Sequence, residues 1–290
     1  MSAESGSMNP PIDVSLLRLI EQAELHAMLA SEAANSAPHL HACRFGATAG
    51  FINLQQHNTL FNRVIGAGEE ETGEIEKIIA WYDSFGVPPR FDICPPRRGP
   101  RLSRALSRAG LEPEAHPSFS RRHMVGETRG PAQRRAHSGV EIEVRLIESD
   151  DDLRAFIDIQ IEVWPEDGFT REARFAQLSA SSGRADIRRY LAMIDGRAAA
   201  TAALSLTPEV GWLSAGAVRD EFRRRGVQRA LIARRMNDAA QAGCAHVATL
   251  VSPGSASERN LHRAGFAFAC DRELWLPPDW TDRPFYRGAG

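Results

Sequence analysis

A run of arginines stands directly before a helix-forming segment in the second half of the chain. It comprises Arg223, Arg224 and Arg225, and Gly226 and Val227 follow it. Free backbone N–H groups point out of a helix N-terminus, and the helix dipole leaves that end partly positive. Arginine adds planar, bidentate donors for phosphate oxygens, and glycine lets a ligand approach the backbone closely. The combination predicts a site for a diphosphate group.

The same run could also be the solvated basic start of a helix. Arginine is unfavourable at a helix N-terminus, because its charge opposes the dipole. The acids close by are Asp220 and Glu221. Three consecutive arginines therefore favour a site that awaits an anion over a merely solvated helix end.

A strand and a helix must position this turn. Val210–Val218 is short, apolar and rich in small residues, which predicts a strand that ends just before the arginines. After the turn, apolar side chains recur at helical spacing: Val227, Leu231, Ile232, Met236, Ala239 and Ala240.

The turn resembles the acyl-CoA signature of the GNAT acetyltransferase superfamily, Arg/Gln-x-x-Gly-x-Gly/Ala. Gln228 stands where that signature has Gly or Ala, so its side chain would either crowd a pyrophosphate or point away from it, and we expect weaker binding than the full signature gives. The resemblance implies acetyl-CoA as co-substrate. The residues that would contact it at this turn are Arg223, Arg224, Arg225, Gly226, Val227, Gln228 and Arg229.

The resemblance also implies roles for the flanking segments. In the family, the thioester carbonyl meets a main-chain N–H of the central strand, and the matching residues here are Gly216, Ala217 and Val218. Their small side chains would suit close approach of the pantetheine arm, and would suit tight packing equally. Asn260 resembles a second CoA contact; its alternative is an exposed Asn near the start of a helix.

The sequence offers only weak candidates for a general acid or base. The family often places a Tyr shortly before the Gly-Phe pair that is Gly265-Phe266 here, but His262 stands in that region. His262 could serve as the acid or be an idle surface residue. Ser214 stands where some members carry a basic Glu, and it could order a water or simply pack. We therefore expect catalysis by positioning, main-chain polarisation and a water relay.

The acceptor would be an amine, most simply that of a small molecule. The loop of residues 164–168 lies where the family usually builds the acceptor site. Trp164 could form a wall of the pocket, and Glu166 or Asp167 could meet the amine there. Trp164 could equally plug the end of the domain.

The composition excludes some classes of function. The formal net charge of −2 over 290 residues argues against a general nucleic-acid binder. No apolar run is long enough to cross a bilayer, and no signal peptide is apparent. Nearly all the basic charge is arginine, and Lys77 is the single lysine, which hints at a GC-rich bacterial genome. We expect a cytoplasmic protein.

Four cysteines are scattered along the chain and form no C-x-x-C pair. We interpret them as free thiols, with no metal site. Cys244 is interpreted as a buried filler, because the sequence shows no positive neighbourhood that would activate its thiol. The cysteines are Cys43, Cys94, Cys244 and Cys270.

The two halves of the chain resemble each other in three places. Residues 18–21 recur as residues 145–148, each interpreted as lying just ahead of a helix, and residues 104–111 recur as residues 259–266. Gly86 also lies as far before Pro96 as Gly243 lies before Pro253. The duplication predicts two tandem GNAT-like α/β (α+β) domains, each a mixed, mostly antiparallel sheet flanked by helices.

The predicted domains follow from these matches. They are a disordered tail (1–11), a degenerate GNAT-like domain (12–125), a linker (126–139), a GNAT acetyltransferase domain (140–280) and a second tail (281–290).

The first half differs at the turn that would bind CoA. Glu69, Glu70 and Glu71 stand there instead of arginines, and their charges would repel a pyrophosphate. The first domain would then pack, form a homodimer or shape the acceptor pocket. The acidic turn could attract a cationic amine or be a solvated loop.

The sequence thus predicts an acetyl-CoA-dependent N-acetyltransferase that acts on a small-molecule amine. A non-catalytic acyl-CoA-binding regulator is the alternative, since the usual Tyr and Glu are missing.

Overall fold

The computed structural model describes residues 12–32, 38–56, 61–114, 121–128, 141–165 and 170–282. The predicted tail 1–11, residues 129–139 of the predicted linker and residues 283–290 lie outside this description. Its helices are α1 (Val14–Glu32), α2 (Ile75–Asp83), α3 (Pro100–Arg108), α4 (Asp150–Val163), α5 (Arg171–Ala180), α6 (Val227–Gln241) and α7 (Ala256–Arg263).

The strands form two sheets. Those of the first half are β1 (Leu40–Phe45), β2 (Thr48–Asn53), β3 (Arg63–Ile65), β4 (Phe91–Ile93), β5 (Glu112–Pro113) and β6 (Arg122–Glu127). Those of the second half are β7 (Glu143–Leu146), β8 (Ile187–Ile194), β9 (Arg197–Leu206), β10 (Val210–Val218), β11 (His246–Val251), β12 (Ala267–Asp271) and β13 (Glu273–Leu276).

Each half gives one strand to the sheet of the other half. The first sheet has the order β1-β2-β3-β4-β13-β5, and the second has the order β12-β6-β11-β10-β9-β8-β7. Strand β6 therefore lies between β11 and β12, and β13 lies between β4 and β5. Read from β8 to β12, the strand order of the second sheet corresponds to that of the first sheet from β1 to β5, and β7 is an additional strand. The halves are therefore related copies that have exchanged their last strands.

Two of the three sequence matches between the halves have the same structure. Helices α3 and α7 both end in a left-handed glycine, Gly110 (φ 78°) and Gly265 (φ 90°). The next residue in each case donates to the carbonyl four residues before that glycine, at 3.0 Å. Gly86 and Gly243 likewise follow α2 and α6 with positive φ. These matches confirm the duplication.

The third match is wrong. Residues 18–21 lie inside α1, whereas residues 145–148 span the end of β7 and the loop before α4. Four common residues recur here in two different conformations.

The predicted domain limits need correction at two points. Gly126 and Glu127, placed in the linker, belong to β6 and pair with β11. Residues 281 and 282, placed in the tail, belong to a 3-10 turn, Trp280–Asp282. Because the strands are exchanged, neither sheet is built from a continuous stretch of sequence.

Local sequence signals correctly predicted the hairpin and a helix cap of the second half. The predicted hairpin forms between β8 and β9, and its turn residues Asp195 (φ 50°) and Gly196 (φ 73°) have the positive φ of a type I′ turn. Ser149 caps α4 by accepting from the Asp152 N–H at 3.1 Å. Helix α5 was not predicted; Thr170 caps it in the same way, at 3.2 Å.

Helices cover both faces of the second sheet. Helix α6 packs on one face and shares a buried cluster with Tyr190, Leu204 and Leu213. Helix α4 packs on the other face, beside α1 from the first half, which contacts β9 and β10. None of the helices in the described ranges combines the length and apolarity that a membrane span requires.

Candidate functional site

The arginine turn joins β10 to α6 as predicted. Phe222 is buried beneath the turn, and Gly226 precedes the helix with a left-handed φ of 87° and no side-chain cap. The Ala230 N–H donates to the Gly226 carbonyl at 3.1 Å. The helical ladder therefore leaves the amides of residues 227–229 at the helix end, where the dipole is positive.

The acidic side chains next to the turn pair with Arg223 and with Arg197. Asp220 pairs with Arg223 at 2.8 Å, and Glu221 pairs with Arg197 at 2.7 Å. Among the described carboxylates, none pairs with Arg224 or Arg225. Arg225 instead lies over the Phe222 ring at 5.6 Å. These two exposed cations remain available to an anion at the helix end.

Strand β10 has a free edge next to this turn. Its parallel pairing with β11 covers Val210, Gly211 and Trp212, with Trp212 opposite Ala248. Beyond that pair, β11 continues beside β6, while β10 continues to Val218 beside β9 alone. The two central strands therefore diverge, and the exposed Gly216 lies on the diverging part. An extended ligand could add to this edge as a further strand.

A β-bulge shapes the same part of β10. Ser214 pairs with Ala203 and Ala217 pairs with Thr201, so two residues of β10 oppose a single residue of β9. Ala215, within the bulge, has φ 52°. The described non-glycine residues with positive φ are Asp195 of the hairpin turn, Ala215 and Arg224. The last two lie in this site, where strain of about 1–2 kcal/mol per residue indicates a functional constraint.

Three side chains hold the carbonyls of the diverging segment. The Thr249 hydroxyl donates to the Leu213 carbonyl at 2.7 Å, and the Thr201 hydroxyl donates to the Ala215 carbonyl at 3.0 Å. Between them, Arg235 Nη1 donates to the carbonyls of Ser214 and Ala203, each at 3.2 Å. These bonds fix the direction of the peptide groups just before Gly216.

Arg235 is a buried cation without a carboxylate partner among the described residues. It extends from α6 and donates only to main-chain carbonyls. Burial lowers its pKa to about 10, so it remains charged at neutral pH. Sequence reasoning missed Arg235, Thr201 and Thr249. The available signal was a polar residue within an otherwise apolar strand or helix face.

Gln228 and Asn260 are brought together as a bridge between α6 and α7. The Gln228 amide donates to the Ser257 hydroxyl at 3.3 Å and accepts from the Asn260 amide. The Asn260 carbonyl oxygen accepts from Arg263 at 2.9 Å. The Gln228 side chain therefore points toward α7, and both polar atoms of Asn260 have protein partners.

The weak catalytic candidates His262 and Ser214 lie on α7 and β10. His262 is exposed near the end of α7, and its Nδ1 donates to the Phe266 carbonyl at 3.1 Å. Ser214 is half-buried on β10. Tyr190 is buried on β8 and donates to Asp238 at 2.8 Å, and burial, with that bond, raises its pKa. His262 and Tyr190 are therefore engaged in hydrogen bonds within the protein.

The remaining sequence candidates have mainly packing roles. Trp164 is half-buried against the α4 cluster. Glu166 and Asp167 lie outside the described residues. Cys244 is buried, its Sγ donates to the Thr207 carbonyl at 3.2 Å, and burial raises its pKa. This agrees with the interpretation of Cys244 as a filler.

One glutamate of the acidic turn of the first half caps a neighbouring helix. Residues 69–74 form a 3-10 turn that runs directly into α2. Glu69 Oε1 accepts from the amides of Arg101 and Leu102 at 2.8 and 3.0 Å, and so caps α3. A Cβ at Gly99 would lie 2.1 Å from that oxygen, so a larger residue there would displace the Glu69 side chain. A carboxylate of the chain occupies this helix end.

Solved structures with this fold cover nearly the whole chain. A GCN5-related N-acetyltransferase from Kribbella flavida has a TM-score of 0.63 and 14% identity, and the alignment covers 94% of this chain and 99% of that one. A tandem GNAT protein from the clavulanic acid biosynthesis pathway has a TM-score of 0.60 and 12% identity, with 92% and 96% covered. A GCN5-related N-acetyltransferase from Sphaerobacter thermophilus has a TM-score of 0.55 and 16% identity, with 92% and 93% covered. These likenesses confirm the predicted fold.

The sequence itself matches one protein family. Residues 126–255 match the family described as acetyltransferase (GNAT) domain. No curated protein matches the sequence. The matched range begins inside β6, the strand that the first half gives to the second sheet, and ends at the start of α7.

Proposed function

We propose that the protein transfers an acetyl group from acetyl-CoA to the amine of a small molecule, because residues 126–255 match the family described as acetyltransferase (GNAT) domain. The observation that carries the proposal is the free edge of β10 beside an uncapped, arginine-rich helix end. A diphosphate at that end and a pantetheine along that edge would place the thioester beside Gly216–Val218.

The chemistry would rest on the main chain. An amide of the Gly216–Val218 segment would donate to the thioester oxygen and stabilise its charge as a neutral amine attacks the carbonyl carbon. The tetrahedral intermediate would then release the CoA thiolate as its C–S bond breaks, and water would carry the proton lost by the attacking nitrogen to the thiolate sulfur. This proposal does not require His262 or Ser214 as the acid or base. We further propose that the protein is located in the cytoplasm. We also propose that the chain can form a homodimer.

The diphosphate site can be tested by reversing one charge. We expect Arg224→Glu to weaken CoA binding at least ten-fold, equivalent to about 1.4 kcal/mol, because an anion at the helix end would lose a cation and meet a carboxylate. Calorimetric titration with CoA measures the change. Arg108→Glu, an exposed arginine on α3, is the matched control and should leave the affinity unchanged. Equal affinity for CoA in wild type and Arg224→Glu would refute the site.

A non-catalytic acyl-CoA-binding regulator remains the second candidate. The position of His262, bonded to a carbonyl at the exposed end of α7, favours it. Release of CoA thiol from acetyl-CoA across a panel of amines separates the two functions. Binding without thiol release for any amine would favour the regulator.

A further inference from the structure

Two buried cysteines from opposite halves of the chain face each other where the sheets meet. Cys94 follows β4 and Cys270 lies on β12, 176 positions later, yet their sulfur atoms are 4.0 Å apart. Both are free thiols. Their proximity results from the exchanged strand, since β13 begins three residues after Cys270 and pairs with β4. A disulfide would require the sulfurs to close to about 2.05 Å.

A histidine and a carboxylate lie in line behind Cys270. His123 Nδ1 is 3.5 Å from the Cys270 sulfur, and His123 Nε2 is 3.0 Å from Glu24 Oε2. If Nε2 carries the proton that it donates to Glu24, Nδ1 is free to accept the proton of the thiol. Thiol, imidazole and carboxylate in this order form an arrangement that activates a cysteine as a nucleophile.

The surroundings divide the two thiols into unequal roles. The hydrogen bond from Cys94, with a further one from His123, lowers the pKa of Cys270 below its ordinary range. The same bond to Cys270, together with burial, raises the pKa of Cys94. Together with His123 Nδ1, which faces the Cys270 sulfur, these directions favour Cys270 as the thiolate of the pair and Cys94 as the thiol.

We propose that Cys94 and Cys270 are a redox-active dithiol that a hydroperoxide converts to a disulfide joining the two halves of the chain. The Cys270 thiolate attacks the terminal oxygen of the hydroperoxide, and the O–O bond breaks. The departing oxygen takes the proton held by His123, which leaves a sulfenic acid on Cys270. The Cys94 sulfur then attacks the Cys270 sulfur, the S–O bond breaks, and water leaves with the Cys94 proton. Two thiols and one hydroperoxide yield a disulfide, an alcohol and a water.

Access to the pair follows from its position in the sheet. Cys94 is 1% exposed and Cys270 is 4% exposed, so oxidation requires a local opening. Cys270 lies on β12, the edge strand of the second sheet, and the pairing of β12 with β6 shifts register between Phe268 and Cys270. An edge strand with an irregular ladder opens more readily than a central one, and hydrogen peroxide is small enough to enter.

Peptide mapping of the intact protein tests the proposal. The protein is treated with hydrogen peroxide, the remaining thiols are alkylated, and the chain is digested without reductant. We expect a cross-linked pair of peptides that contain Cys94 and Cys270, whereas Cys244 should be recovered as the alkylated thiol. Cys244→Ser is the matched control, because this buried cysteine lies at the Thr207 carbonyl, and the variant should form the same cross-link.

Two serine variants test the assigned roles. In Cys94→Ser, dimedone should trap a sulfenic acid on Cys270, since no second thiol resolves it. In Cys270→Ser, Cys94 should remain unmodified. Oxidised wild type should melt at a higher temperature than reduced wild type, because the cross-link restricts the unfolded chain, and neither serine variant should show this rise.

Other results would overturn the proposal. Four alkylated cysteines after a treatment that has already oxidised methionines would mean that the pair does not react. A cross-link between any other two cysteines would refute the pairing, and dimedone on Cys94 would refute the roles. None of these results depends on acetyl transfer.

Discussion

At the scale of single residues, Gln228 shows how a departure from a signature is accommodated. Its side chain does not fill the space in front of the helix end, because it bonds to Ser257 and Asn260 on α7. Asn260 in turn is held by Gln228 and Arg263. The bridge orients both residues before any ligand arrives. A contact between Asn260 and CoA stays a prediction, and it would require one of these bonds to be given up.

A double-mutant cycle measures the bridge. Gln228→Ala and Asn260→Ala should each destabilise the protein by about 1 kcal/mol, and the double variant should cost less than their sum by a similar amount, because the shared bond is lost only once. Urea unfolding gives the three free energies. Additive costs would show that the two side chains do not interact in solution.

At the scale of elements, the end of β10 depends on groups outside its own strand. Thr201, Arg235 and Thr249 come from β9, α6 and β11, and together they bond three successive carbonyls. The bulge and the divergence from β11 therefore depend on neighbours on three sides. Because the peptide groups are fixed in advance, a ligand at this edge would meet ordered main-chain donors.

Replacing Arg235 distinguishes its effect on the shape of β10 from its effect on the stability of the protein. Arg235→Met removes a buried charge that has no described carboxylate partner, so we expect the free energy of unfolding to change by less than about 1.5 kcal/mol. Affinity for acetyl-CoA should fall about ten-fold, equivalent to 1.4 kcal/mol, because the Ser214 peptide group is released. Chemical unfolding and calorimetric titration provide the two measurements. Unchanged acetyl-CoA affinity would contradict a role for Arg235 in holding the site.

At the scale of the whole molecule, buried charges join the two halves. Glu24 on α1 meets Arg63 at 2.9 Å and also pairs with Arg272, which lies between β12 and β13. Arg272 Nη1 donates to the Asp92 carbonyl on β4 at 3.0 Å. Residues far apart in sequence thus meet around the exchanged strands, and truncating Glu24 would remove a buried partner from both Arg63 and Arg272.

This cluster should make stability fall in acid. Burial opposes ionisation of Glu24, but the charges of Arg272 and Arg63 and the bond to His123 outweigh it and hold the pKa of Glu24 well below its ordinary value. A carboxylate with a lowered pKa stabilises the fold fully above its unfolded pKa, about 4.3, and loses that effect as the pH falls toward the folded value. The free energy of unfolding of the wild type should therefore decline below about pH 5.

The variant Glu24→Gln tests this dependence. At neutral pH it should be about 3–5 kcal/mol less stable than the wild type, because Arg63 and Arg272 lose a buried partner. Its stability should also depend less on pH in acid. Glu76→Gln, an exposed glutamate on α2, is the matched control and should unfold like the wild type. Parallel acid curves for wild type and Glu24→Gln would contradict the assignment.

The sequence by itself determined the elements that local rules govern. Helical spacing located α6, alternation and small residues located β10, and the Asp195-Gly196 pair located the hairpin, because these signals depend on neighbours a few residues away. The arginine turn was visible for the same reason. Helix α5 was missed because Arg171–Ala180 is short and mixes polar with apolar residues, although its apolar side chains do recur on one face.

Only the tertiary structure decided which strands pair. An edge strand offers the same main-chain donors and acceptors to a strand of either half, so the patterns of β6 and β13 could not reveal their exchange. The bulge of β10, its support by Arg235 and the meeting of Cys94 with Cys270 all depend on contacts between distant residues. The sequence therefore predicted where a diphosphate could bind, and the packing of the two halves determined the edge beside it.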